Sequence, residues 1–156
     1  MDILFNINLD SQSVVCNVNL EPQAIEIPAT FYNVSQSLFV TTTMTAGETL
    51  GGHRIVAVDP ASTRAIYASS DNPAHAIGVV GMTTGSVNQG DPVVVQTFGI
   101  VNEAGWNWDM STPRLFVGLN GVMTQTVPTS GFICQIATCL SPTSICIEKQ
   151  QPIILS

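Results

Sequence analysis

Ile3-Leu4-Phe5-Asn6-Ile7-Asn8-Leu9-Asp10-Ser11-Gln12-Ser13-Val14-Val15-Cys16-Asn17-Val18-Asn19-Leu20 sets the pattern for the whole chain. Ile3, Phe5, Ile7 and Leu9 alternate with Leu4, Asn6 and Asn8, and Val14, Cys16, Val18 and Leu20 alternate with Asn17 and Asn19. Side chains two residues apart share a face of an extended strand, so a period of two predicts two strands here. The polar Asp10-Ser11-Gln12-Ser13 stretch between them predicts a hairpin turn. The same period returns over 24–27, 37–43, 54–58, 64–68, 76–80, 93–99, 114–118, 122–126, 132–138 and 144–148. Asp59-Pro60, Asp71-Asn72-Pro73 and Pro128-Thr129-Ser130-Gly131 punctuate these runs with turn-forming residues.

Many short strands at near-regular spacing predict an all-β fold, an antiparallel sandwich or barrel of about ten short strands with little helix. No stretch of about ten residues carries convincing i, i+3, i+4 apolar spacing, and the best candidate for a helical turn is 60–63. Residues 1–45 read as amino-terminal strands, an arm suited to attachment or trimerisation. Residues 46–156 read as a barrel or sandwich module continuous with that arm, because no Ser/Gly-rich or charged linker separates the two.

Ala46-Gly47-Glu48-Thr49-Leu50-Gly51-Gly52-His53-Arg54-Ile55 lies over Thr84-Gly85-Ser86-Val87-Asn88-Gln89-Gly90-Asp91-Pro92-Val93 as an internal repeat, with Gly47 on Gly85, Gly52 on Gly90 and Ile55 on Val93. Each copy predicts a tight reversal with glycine at positive φ, followed by a strand. Two copies are too few for a solenoid.

Composition excludes several classes of function. The 156 residues weigh 16.5 kDa, which suits one compact domain or two small lobes. Four Lys+Arg against 11 Asp+Glu, a net charge of -7 and an isoelectric point near 4.3 leave no basic footprint for nucleic acid. Hydrophobic residues reach 45%, yet no apolar run approaches the roughly 18 residues of a membrane helix, so no membrane partner is expected. Charged residues are only 10%, against roughly a quarter in an ordinary domain. The amino terminus has no basic n-region, apolar h-region or small-residue cleavage site, so no secretory signal is expected. Cys16, Cys134, Cys139 and Cys146 then read as free, buried thiols of a chain made in a reducing cytosol. A Cys134–Cys146 bridge is conceivable only if their strands pair. Asn33-Val34-Ser35 matches a glycosylation sequon and is assigned no function.

Catalytic motifs are missing. No G-x-S-x-G elbow occurs, and His53 and His75 are the only imidazoles. Both sit at expected loop–strand junctions, where a solvated or capping histidine is the commoner case. Cys134, Cys139 and Cys146 have no C-x-x-C spacing, so no metal site is expected. Asp59, Asp71, Asp91 and Glu103 lack the ligand rhythm of a calcium loop, and Gly81 to Gly90 lacks the Lys-Ser/Thr ending of a phosphate loop. No cofactor and no enzymatic activity are expected. Trp106-Asn107-Trp108 is the most conspicuous local feature. Alternate residues of an extended chain share a side, so the two indoles form either a plug or subunit contact at a strand end, or a platform for a sugar.

Two stretches carry a resemblance. Gly105-Trp106-Asn107-Trp108, Leu115-Phe116-Val117-Gly118-Leu119-Asn120-Gly121-Val122-Met123-Thr124-Gln125-Thr126-Val127-Pro128-Thr129-Ser130-Gly131 and Gln135 to Ile147 resemble a β-module of tailed-bacteriophage virion proteins, although Ala137 stands where glycine is frequent. Ala46 to Val58 and Ala76 to Gly99 resemble small phage capsid-decoration barrels. The resemblance covers about residues 46–147. It implies a non-enzymatic virion structural protein, a homotrimeric capsid decoration (cement) or head-fibre subunit, made in the host cytoplasm and seated on the major capsid protein. The alternative it implies is a tail-fibre or baseplate receptor-binding module, with Trp106, Trp108 and the loop around Asp109 on a host glycan. The first strand, with Phe5 and Ile7 on its apolar face, is then expected to join a neighbour or the shell by edge addition.

Overall fold

The computed structural model describes the strands Ile3–Leu9 and Gln12–Val18 and residues 39–156. The chain divides into two compact units, Met1–Ser35 and Gln36–Ser156.

In the first unit β1 (Ile3–Leu9) and β2 (Gln12–Val18) form an antiparallel pair. The register runs from Ile3↔Val18 through Phe5↔Cys16 and Ile7↔Val14 to Leu9↔Gln12, so alternation located both strands. The side chains of Phe5 and Ile7 and the strand expected over 24–27 lie outside the described residues.

In the second unit the strands are β3 (Val40–Thr45), β4 (Ile55–Val58), β5 (Ala65–Tyr67), β6 (Val79–Thr83), β7 (Pro92–Asn102), β8 (Arg114–Val117), β9 (Met123–Thr124), β10 (Phe132–Ile133), β11 (Gln135–Ser141), β12 (Ser144–Glu148) and β13 (Ile153–Ile154). These eleven strands, with no α-helix among the described residues, make the unit all-β. Nine form one antiparallel sheet in the order β5-β4-β6-β7-β12-β11-β8-β9, with β3 added on β7, and β10 pairs with β13. The sheet curls into a half-barrel. Backbone hydrogen bonds draw its two ends together: Gly121 N donates to Ala68 O, Ser70 N to Gly118 O at 2.9 Å, and Ile55 N to Gly121 O at 2.8 Å. Because β3 belongs to this sheet, the larger unit begins ahead of the sequence boundary at residue 45.

Three local expectations need correction. The strand expected over 76–80 begins at Val79, because Pro73–His75 forms a 3-10 turn capped by the Asn72 side chain. The helical turn expected over 60–63 forms as a single turn closed by Thr63 N on Asp59 O, with the Asp59 carboxylate accepting from Ala61 N and Ser62 Oγ at its start. The run 132–138 is split at Cys134 into β10 and β11, and β13 was missed altogether. In the repeat, Gly90 has positive φ as expected, but in the first copy the left-handed residue is His53 rather than Gly52. The copies do pair with each other, through reciprocal Leu50–Val87 hydrogen bonds of 2.9 Å and through Ala46 N to Asp91 O.

Two buried clusters occupy opposite faces of β4: Ile55 and Ala57 enter the larger one, with Leu115, Val117, Phe132, Ile136, Ile145 and Ile147, while Val56 enters the smaller one with Leu50, Val93 and Val95. That is why residues 55–58 are uniformly apolar, since a strand covered on both sides has no polar face to alternate. Strand β7 connects the two regions by changing the face it presents. Val93 and Val95 point into the smaller cluster, whereas Gly99 and Val101 pair with Ile147 and Ile145 of the larger one. The switch is a bulge: Val40 opposes Phe98 and Thr41 opposes Gln96, leaving Thr97 as the extra residue. Gly99 absorbs the distortion at φ 107. Buried Gln96 satisfies the disturbed ladder by donating its amide to Phe98 O at 3.2 Å and Ile100 O at 3.4 Å.

Cys134, Cys139 and Cys146 are free thiols. Cys134 lies in the larger cluster, whereas Cys146 sits between Ile145 and Ile147 and faces the other side of the sheet, which precludes the bridge considered from sequence. Burial pushes the Cys134 thiol up, partly offset by the Lys149 charge, and burial alone raises Cys139. A raised thiol holds less thiolate at any given pH below its pKa. In a Cys16→Ser protein at mildly alkaline pH, both thiols are therefore expected to resist alkylation until denaturant is added. Mass spectrometry of the labelled peptides checks this, and labelling of either in the native protein as fast as in a denatured sample contradicts it.

Candidate functional site

A cleft of about 370 Å³ is lined by Gly52, His53, Arg54, Glu103, Gly105, Trp106, Trp108, Val122 and Met123. Its first wall is the 51–54 turn. Thr83, fully buried on β6, clamps that turn from both ends: its hydroxyl donates to Gly51 O at 2.7 Å and accepts from Arg54 N at 3.0 Å, while its carbonyl accepts from His53 N at 2.9 Å. The Tyr67 hydroxyl accepts from Gly51 N at 2.6 Å. His53 is thereby held at φ 56, a left-handed conformation that costs an ordinary residue roughly 1–2 kcal/mol. Such strain persists only where the surroundings over-determine it.

The second wall is the 103–109 loop after β7. Glu103 N donates to Thr143 O and Trp108 N to Pro142 O, both at 2.9 Å, pinning the loop on the β11–β12 turn. The Gln125 side chain fastens the far end, accepting from Asp109 N at 3.0 Å and donating to Asp109 O at 2.7 Å. Trp106 and Trp108 point to the same side, as their spacing predicted, with Asn107 exposed between them. Their ring centroids are 5.7 Å apart at 53°, and both are half-buried against the larger cluster. They cap the core end and face the cleft at once. The Trp108 indole N–H is buried with no acceptor among the described residues, and such an unmet donor costs about 1–3 kcal/mol.

The two walls meet through His53. Its ring packs edge-on to Trp106 with centroids 5.4 Å apart, and its Nδ1 lies 3.4 Å from Glu103 Oε2. The other oxygen, Glu103 Oε1, accepts from Gly105 N at 3.0 Å. Among the described residues Arg54 forms no ion pair. The cleft thus gathers a donor-only guanidinium, an acceptor-only carboxylate and an imidazole able to do either, beside two flat aromatic faces. No family model, curated protein or solved structure matches this chain.

Of the residues singled out from sequence, Trp106 and Trp108 come together in this cleft. Asp109 does not line it: its carboxylate accepts from Ser111 N at 2.8 Å, and the Ser111 N–H and hydroxyl hold it below the usual carboxylate range, as a turn-former. His75 is a capping residue whose Nδ1 accepts from Ser69 N at 3.1 Å. Sequence reading missed the pairing of His53 with Glu103 and the place of Arg54 in the same cleft. The available signal was a histidine directly after Gly51-Gly52 and a glutamate three residues before Trp106, but nothing local links the two. Among the described residues no three His, Cys, Asp or Glu side chains converge as a metal site.

Proposed function

We propose that this chain is a non-enzymatic structural protein of a bacteriophage-type virion, a capsid decoration or head-fibre subunit that works as a homotrimer on the particle. The observation that carries the reading is an apolar outer surface on the sheet. Phe98 and Ile100 lie on the face of β7 turned away from the larger cluster, Val40 opposes Phe98 from β3, and Cys146 opposes Ile100 from β12. Val40, Phe98 and Ile100 are 52%, 38% and 45% exposed. A contiguous apolar patch of this kind marks an interaction surface, and a subunit that binds only the assembled shell stabilises that state by mass action. The sparse charge of the chain suits it too, because neutral interface groups avoid the cost of burying ions. The separate amino-terminal hairpin, with its period-two apolar pattern, is the part of this reading that attaches to the shell by edge addition.

Size-exclusion chromatography with light scattering tests the assembly. The full chain is expected to run as a trimer in which Cys146 is protected from alkylation. Phe98→Asp with Ile100→Asp is expected to release monomers and raise the Cys146 labelling rate at least about tenfold. Deleting residues 1–30 is expected to leave the trimer intact and abolish occupancy on purified particles. A full chain that stays monomeric, with Cys146 freely labelled, or unchanged occupancy after the deletion, overturns the reading.

A further inference from the structure

The strained His53 turn and the tryptophan loop build more than a cap for the core, because a cap needs no ionisable groups. We infer that the cleft between Gly52–Arg54 and Glu103–Trp108 is a binding site for a pyranose unit of a glycan. Three features select that ligand. The volume of about 370 Å³ falls at the small end of ligand clefts, which run from roughly 300 to 1,000 Å³. Trp106 and Trp108 offer flat apolar surface, complementary to the C–H face of a sugar ring. The polar groups are mixed: the Glu103 carboxylate only accepts, the Arg54 guanidinium only donates, and His53 supplies either. A ring bearing adjacent hydroxyls, each both donor and acceptor, satisfies such a set as no single-sign ligand does.

The charges also weigh against the competing ligands. A quaternary ammonium suits an aromatic cage with a carboxylate, but here the positively charged Arg54 lines the same cleft. A phosphate suits the guanidinium, but the Glu103 carboxylate lines the same cleft with one oxygen facing His53 Nδ1 and the other on Gly105 N. The site is also held in shape before any ligand arrives. Thr83 locks the His53 turn and Gln125 locks the loop, so little conformational freedom remains to be lost on binding. The inference stands on the cleft alone and requires no particular place on a particle.

The full chain has two tryptophans, so its nitrogen–proton correlation spectrum carries two indole signals, one from each. Methyl pyranosides of glucose, galactose, mannose, N-acetylglucosamine and rhamnose are titrated in turn, with phosphocholine and inorganic phosphate as competing ligand classes. At least one pyranoside is expected to move the indole signals saturably, with Kd on the order of millimolar or tighter. Glu103→Gln and Trp106→Leu are each expected to weaken that binding at least about tenfold, with circular dichroism and oligomeric mass unchanged. If Trp106→Leu disturbs folding, Glu103→Gln and Arg54→Met decide the matter. The inference fails if no pyranoside shifts either signal, if phosphocholine or phosphate binds in their place, or if binding survives Glu103→Gln and Arg54→Met undiminished. A trimer that binds no pyranoside defeats this inference and leaves the structural role standing, whereas a pyranoside-binding monomer does the reverse.

Discussion

Gly81→Ala is expected to destabilise the half-barrel by about 3 kcal/mol or more, the upper end of what overpacking costs. Gly81 is buried on β6 where that strand crosses closest to the bulge of β7. A Cβ built there overlaps Gln96 O and lies 3.1 Å from the Thr97 Cα. Both obstructing atoms are backbone, so no rotamer change relieves the overlap and the two strands must separate. Separation would break the Met82↔Gln96 and Thr83↔Val95 pairs, and with them the clamp that Thr83 applies to the His53 turn. Gly85→Ala is the matched control: nothing lies within 4 Å of its Cβ position, and its stability is expected to stay within about 0.5 kcal/mol of the parent. Denaturant melts of the three proteins decide the point, and similar midpoints for Gly81→Ala and Gly85→Ala would show that the strands do not approach as described.

Phe132→Ala is expected to cost about 3–5 kcal/mol, the range for deleting a fully buried phenyl ring. Phe132 is the largest fully buried side chain among the described residues and sits in the cluster that Leu115, Ile136 and Ile145 also line. Its backbone N donates to Ser70 O at 2.8 Å, and its strand β10 pairs with β13. The walls around the vacated volume are hydrogen-bonded strands that relax little, which places the cost toward the top of that range. At roughly 3–6 °C per kcal/mol for a unit of this size, the thermal midpoint should fall by more than about 10 °C. Leu119→Ala, at a position 54% exposed, should change it little. A Phe132→Ala midpoint within a few degrees of the parent would mean that this ring does not organise the core.

The strand content was legible because alternation is a local property. Strands β1, β4, β8 and β12 fall where period-two runs lie, within a residue or so, whereas β2 begins two residues ahead of its run and takes Gln12 and Ser13 out of the expected turn. The errors have local causes as well. Over 76–80 the apolar run continues a turn in which the Asn72 side chain accepts from Ala74 N and captures the backbone before extension begins. β13 escaped notice because two residues, Ile153 and Ile154, are too few to show any period. Trp106 and Trp108 were legible as a same-side pair. His53, Arg54 and Glu103 were not legible as their neighbours, because the contact joins segments that only the path of the sheet brings together.

By itself the order of residues determined that this protein is built of short strands, that four Lys+Arg stand against 11 Asp+Glu, and that two indoles share a side. Each follows from side-chain spacing or from summed charge, which need no knowledge of distant neighbours. Only the tertiary structure decided which face of each strand is covered, where β7 exchanges one face for the other at Thr97–Gly99, and that an imidazole, a carboxylate and a guanidinium gather beside those indoles. Burial and convergence depend on how the sheet curls, and curling is set by bulges and close backbone approaches acting together across the whole unit.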